Sequence, residues 1–157
     1  MRIEFELARV DAPQVTVLVR ALTALNMLYL RTHPRAPLLH KSGVVYKTQP
    51  GGSERFKTIP AILAAGNADC DQLAPWRAAE LRVRYGIAAM PEVKRMGKNL
   101  WHVYVRYPDG RVEDVSAALG MPVPARLAAL GREILRRKRR APVIGSRFAH
   151  VRRAFPA

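Results

Sequence analysis

The chain has 157 residues, 49% of them hydrophobic, and a formal charge of +15. That length fits one domain built on its own apolar core, and the apolar fraction excludes a globally disordered chain. The single cysteine excludes an intrachain disulfide, and the positive charge points to acidic partners such as nucleic acid, an anionic envelope or an acidic protein surface.

At the start, Ile3, Phe5 and Leu7 alternate with Arg2, Glu4 and Glu6, which predicts a strand over residues 1–10. No long apolar core of the kind a signal peptide carries is present there. Asp11 then offers an N-cap and Pro13 a first-turn proline. Val15, Leu18, Leu22, Leu25 and Tyr29 recur at helical spacing until His33-Pro34 stops the pattern. This stretch is too short and too polar to span a bilayer, interrupted as it is by Arg20, Thr23 and Asn26. The expectation is a soluble chain synthesised in the cytosol, with no membrane span.

Val44, Val45 and Tyr46 predict a short strand, and residues 55–59 a returning partner across the turn at 49–53. Pro60 begins a short helical turn that Gly66 stops. A longer helix is predicted from Cys70 to Tyr85 with Gly86 behind it. Residues 101–107 read as a strand, Pro108-Asp109-Gly110 as its turn, and residues 111–115 as the return. A basic helix is expected over 124–140, followed by an extended arm. The order predicts an α+β domain with an antiparallel sheet over residues 1–120, then a basic helix and C-terminal arm over 121–157.

Cysteine-based nucleophilic catalysis needs a thiolate, a base that reaches it and a group that orients the base. Cys70 opens a predicted helix, where free N–H groups and the helix dipole favour a thiolate and can bind an oxyanion. Asp69 and Asp71 flank it and oppose the thiolate, and either can cap the helix. Taken alone, a lone cysteine is more often buried structure than nucleophile. His102 and Asp114 lie on the two strands of the predicted hairpin. With a three-residue loop, Tyr107 faces Arg111 and Asp114 faces Tyr104, so His102 and Asp114 share a face as diagonal neighbours, roughly 7–8 Å apart. A two-residue loop would send them to opposite faces. Asp109 is better used by the turn, and Glu113 points the other way.

The segments DCDQLAPWRAAELRVRYGIAA and WHVYVRYPDGRVEDVS resemble the transglutaminase-like family of papain-related thiol enzymes. In that family a cysteine opens a helix, a histidine follows on one strand and an acid on the next. The likeness covers roughly residues 60–120, and the surrounding chain is similar to small phage and prophage members. The resemblance implies a catalytic helix packed on a small antiparallel sheet and a triad of Cys70, His102 and Asp114. It further implies acyl transfer from amide bonds of a peptide, peptidoglycan or protein side chain, with neither metal nor organic cofactor. Pro75 departs from the pattern: inside a helix it removes a hydrogen bond and predicts a kink or restart. The oxyanion donors suggested by position are the Cys70 N–H with Tyr46 or Asn67.

Two other functions fit the sequence. From residue 121 onward ten basic residues face the single acid Glu133, and the run Arg136, Arg137, Lys138, Arg139 and Arg140 can bind an acidic surface or phosphates. The chain can therefore be a structural part of a virion or tail that binds neighbouring subunits through its arm. It can also bind nucleic acid non-specifically, although the run lacks interleaved aromatics and matches no DNA-reading motif. His33, His40 and His150 have no metal-ligand spacing.

Overall fold

The computed structural model describes residues 3–7, 11–49, 54–97 and 100–122, so the predicted basic helix and arm, including Arg136 to Arg140, lie outside the described residues. Strand β1 (Glu4–Leu7) leads to helix α1 (Ala12–Thr32), which starts on a reciprocal cap. Gln14 N–H donates to Asp11 Oδ1 and Asp11 N–H donates to Gln14 Oε1, both at 2.9 Å. These bonds satisfy two of the amides a helix start leaves open. Val15, Val19, Leu22 and Leu30 form the buried stripe of α1. His33 closes the helix, its N–H returning to the Tyr29 carbonyl.

A 3-10 turn (Leu39–Lys41) precedes strand β2 (Val45–Tyr46). Strand β3 (Glu54–Lys57) does not return on β2 as the sequence suggested: it pairs antiparallel with β1, Phe56 opposite Phe5. Strand β2 instead pairs in parallel with β4 (Asn67–Ala68), which follows helix α2 (Ile59–Ala65) and its left-handed cap Gly66. A two-residue strand carries too few side chains for an alternation to name its partner.

Helix α3 (Cys70–Tyr85) runs unbroken through Pro75 to the left-handed Gly86. Pro75 is buried, and the packing of its ring offsets the hydrogen bond it cannot make. Strands β5 (Met90–Gly97), β6 (Leu100–Arg106) and β7 (Val112–Glu113) form an antiparallel sheet in that order, and helix α4 (Val115–Ala118) follows. Helices α1 and α3 pack on each other and on this sheet, with Trp76, Leu73 and Ala79 of α3 and Val103 and Val105 of β6 fully buried or nearly so. The described residues are thus mixed helix and sheet, an α+β arrangement, and belong to one compact unit, Met1–Pro122. No helix among them is long and apolar enough to cross a membrane.

One buried polar side chain ties the helices together. Asn26 of α1 is fully buried, and its Oδ1 accepts the Ile59 N–H at 3.0 Å, supplying α2 with the cap that Thr58 does not provide. Asn26→Leu is expected to lose about 1–3 kcal/mol, because the Ile59 amide is then buried without an acceptor. Urea unfolding followed by circular dichroism measures it; an unchanged midpoint would show the bond to be dispensable.

Candidate active site

Three elements meet at the head of α3. Asp69 caps the helix, so of the two acids flanking Cys70 it is Asp69 that serves, with its Oδ1 on the Cys70 N–H at 2.7 Å. Gln72 and Leu73 send their N–H groups back to the Asp69 carbonyl, at 3.1 and 3.0 Å, which starts the first turn with Cys70 as its first residue. Cys70 is half-buried and packs against the edge of the core.

The hairpin register is the one that a three-residue loop requires. Tyr107 N–H donates to the Arg111 carbonyl at 2.8 Å, Arg106 pairs with Val112 and Val105 with Glu113. In an antiparallel ladder every second residue turns its N–H to the same neighbour, so Tyr107, Val105 and Val103 all aim theirs toward the β7 side. Strand β7 ends at Glu113, and the chain turns into α4. The Val103 N–H is thereby freed from the ladder and comes near the Cys70 sulfur, where it favours the ionised form. The sulfur therefore lies against the peptide that joins His102 to Val103.

His102 belongs to the opposite face of β6, with Tyr104 and Arg106. That face is the more open one: Arg106 and Lys94, the residue paired with His102, are exposed, whereas His102 is only 7% exposed. Tyr104 stands edge-on to its ring, with centroids 4.8 Å apart. Its Nε2 is 3.0 Å from Asp114 Oδ2. Asp114 is fixed in turn by the start of α4, where its Oδ1 accepts the Ala117 N–H at 3.1 Å. One carboxylate thus caps a helix with one oxygen and holds an imidazole with the other. Asp109 is used by the turn, where it binds Arg111 through both backbone and side chain. Glu113 bonds Arg77 and Tyr107, away from His102.

The structure therefore joins His102 to Asp114 directly and brings the Cys70 sulfur near the amide of Val103, the next residue along β6. Burial, then the charges of Asp114 and Glu92, raise the Tyr104 hydroxyl above the ordinary tyrosine value. Burial first, then the Asp69 and Asp71 carboxylates, push the Cys70 thiol well above the usual cysteine range, and only the Val103 N–H opposes them. Residues 46–49 complete the surroundings. Tyr46 is raised to about 12, by burial and by Asp69 and Cys70 beside it, and its hydroxyl accepts from Thr48 Oγ1 at 3.1 Å. The Tyr46 N–H bonds the Leu119 carbonyl at 2.9 Å, so the end of α4 holds β2 in place.

Of the oxyanion donors suggested by position, the Cys70 N–H is occupied by Asp69 and the Asn67 amide by the Ala65 carbonyl at 2.9 Å. Sequence reasoning missed Val103 and Tyr104. Tyr104 carried a signal, two residues from His102 on one strand face; the Val103 amide carried none, because a backbone donor is freed only by where the neighbouring strand stops. Among the described residues no group of three or more His, Cys, Asp or Glu side chains can hold a metal ion. No protein-family model, no curated protein and no solved structure matches the chain.

Proposed function

We propose that the chain is a transglutaminase-like thiol hydrolase or acyltransferase acting on amide bonds, with Cys70 as nucleophile, His102 as base and Asp114 as the orienting acid. The observation that carries this reading is the His102–Asp114 hydrogen bond of 3.0 Å, on the very residue whose backbone adjoins the Cys70 sulfur. Asp114 only accepts, so the neutral imidazole places its proton on Nε2 and keeps the lone pair on Nδ1. In the reaction Nδ1 takes the thiol proton while the sulfur attacks the amide carbonyl. Collapse of the tetrahedral intermediate breaks the C–N bond, and the leaving amine departs with the proton from Nδ1. Water or a second amine, losing a proton to Nδ1, then attacks the thioester carbon; the sulfur leaves and recovers its proton. The raised thiol fits general-base activation at the moment of attack better than a standing thiolate–imidazolium pair. The phage-type resemblance suggests peptidoglycan or protein side chains as substrate, and incorporation in a virion.

A second reading is favoured by one observation: Asp69 occupies the Cys70 amide beside a protonated thiol. It makes the chain a catalytically idle component of a phage particle or tail, which binds neighbouring subunits or nucleic acid through its basic C-terminal residues.

Acylation by p-nitrophenyl acetate, followed by intact mass, separates the two. On the enzyme reading Cys70 becomes acetylated, and His102→Ala slows the reaction by roughly 10²–10⁴-fold. Acetylation at the pace of a free cysteine thiol, indifferent to His102, would rule the enzyme reading out.

A further inference from the structure

Asp69 does more than a helix cap requires. A capping side chain ordinarily accepts from the second or third amide of the helix. Here the bond goes to the first, the amide of the candidate nucleophile, at 2.7 Å. The other oxygen reaches back across twenty residues to the Gln49 N–H, at 2.9 Å. The same carboxylate raises both the Cys70 thiol and the Tyr46 hydroxyl. Two backbone amides, one on α3 and one at residue 49, so converge on this one carboxylate. Asp71, on the other side of Cys70, is buried and adds its charge to the thiol's surroundings, but neither the Cys70 nor the Gln49 amide bonds to it.

We propose that Asp69 is a latch on the nucleophile: it occupies the Cys70 amide and fastens residues 46–49 beside the sulfur, until the carbonyl oxygen of an amide substrate takes that N–H from it. The inference rests on Cys70 as nucleophile and adds how that nucleophile is kept idle between turnovers. A helix-head amide is the natural donor to a carbonyl oxygen next to an attacking sulfur. Substrate and Asp69 compete for that one N–H. When the carboxylate gives it up and draws back, the negative charge beside the thiol recedes, which eases loss of the thiol proton to His102. The other titratable groups around Asp69 and the sulfur are Tyr46 on β2, Lys57 on β3, Asp71 on α3, Tyr104 on β6 and the His102–Asp114 pair, and the Asp69 substitutions leave all of them in place.

The test uses the full chain and two readouts: the rate of Cys70 alkylation by iodoacetamide from neutral to alkaline pH, and hydrogen exchange over residues 45–49. Asp69→Asn and Asp69→Ser, both able to cap a helix, are expected to alkylate on the order of tenfold faster at neutral pH, the effect of a thiol pKa lowered by one unit. Exchange over 45–49 is expected to rise with them. Asp71→Asn removes a similar charge and is expected to give a smaller rise in rate with exchange over 45–49 unchanged. Equal rises for the Asp69 and Asp71 variants, with exchange unaltered, would reduce Asp69 to a through-space charge and overturn the latch; unaltered alkylation in both Asp69 variants would overturn it as well. The wild-type chain supplies a measurement that does not depend on how the variants fold. Its carboxamidomethyl adduct carries an amide carbonyl one methylene from the sulfur and should exchange faster over 45–49 than its S-methylthio adduct, which carries none; identical exchange in the two adducts would count against displacement by a carbonyl. Loss of the latch with His102-dependent acetylation intact leaves the enzyme reading standing. Fast alkylation in Asp69→Asn together with acetylation that ignores His102 has the opposite meaning.

Discussion

Asp114→Asn is expected to slow acetylation of Cys70 by roughly 10²–10⁴-fold while shifting the thermal midpoint little. Proton placement decides the effect. Asp114 uses Oδ1 for the Ala117 N–H and Oδ2 for His102 Nε2. Asparagine has one oxygen. If that oxygen keeps the α4 cap, the side-chain amide turns its N–H₂ toward Nε2 and must find a lone pair there. The imidazole proton then moves to Nδ1, the nitrogen that should accept from the thiol, and the base is lost with the geometry intact. Asp114→Ala is a different lesion: it removes both bonds, costs about 1 kcal/mol through the lost cap and lets the ring rotate. Mass-resolved acetylation kinetics with parallel thermal melts distinguish the two. If Asp114→Asn acetylates at the wild-type rate, the carboxylate orients nothing that matters to the sulfur, and His102 is a strand histidine held in place for structural reasons.

The parts of this site that sequence reasoning reached are those set by local chemistry. Asp69 before Cys70 and Gly86 after Tyr85 bound α3, because a cap needs a carboxylate or hydroxyl at one end and a residue tolerant of positive φ at the other; Gly86 sits at φ 66°. Pro108-Asp109-Gly110 determines loop length, loop length determines register, and register puts His102 and Asp114 within reach of each other. What escaped depends on distant parts of the chain. Strand β5 begins Met90-Pro91 and runs through Lys94, Arg95 and Met96, all exposed, so its sequence lacks the alternation of a half-buried strand; its partner β6 defines it. The pairing of β3 with β1 brings together residues some fifty positions apart and leaves no local trace. Helix α4 has only four residues, below the length at which periodicity is visible, yet its start is what holds Asp114. Asp69 and Asp71 were equivalent as caps in the sequence; the direction of the chain entering α3 chose the first.

Glu80→Ala is expected to lose about 3–5 kcal/mol of stability, a large share of the roughly 5–15 kcal/mol that a domain possesses, and urea unfolding reads the loss. Glu80 is 1% exposed, in the middle of α3. Its Oε2 accepts the Leu39 N–H at 2.8 Å and its Oε1 binds Arg77 Nη1. Arg77 also reaches both oxygens of Glu113, at 3.0 and 3.2 Å, and Glu113 receives His40 Nε2 at 3.0 Å and the Tyr107 hydroxyl. A single network so ties α3 to the 3-10 turn and to the β6–β7 hairpin. Alanine at 80 leaves the Leu39 amide buried without its acceptor and strips Arg77 of one of two carboxylates, and the desolvation already paid for that guanidinium is no longer matched. Glu80→Gln retains an acceptor for Leu39 but presents Arg77 with a neutral group, so it should fall between alanine and wild type. The same network gives stability a direction with pH. Burial raises the Glu113 carboxyl, but Tyr107, His40 and Arg77 outweigh it and hold the group below the usual glutamate range. A depressed folded value contributes stability that is complete above the unfolded value and is lost as pH falls through the folded one, so acid should weaken the wild type through Glu113 and Glu113→Gln should blunt that loss. Glu113 is the residue before Asp114, and Arg77 lies two helical turns from Cys70 on the same helix. The ion pair between them therefore sets the carboxylate that orients His102 in the frame of the helix that carries the sulfur. Glu80→Ala should accordingly slow Cys70 acetylation in conditions where the protein is still folded; a variant that is less stable yet acetylates at the wild-type rate would show that the hairpin holds its register on α3 without this network.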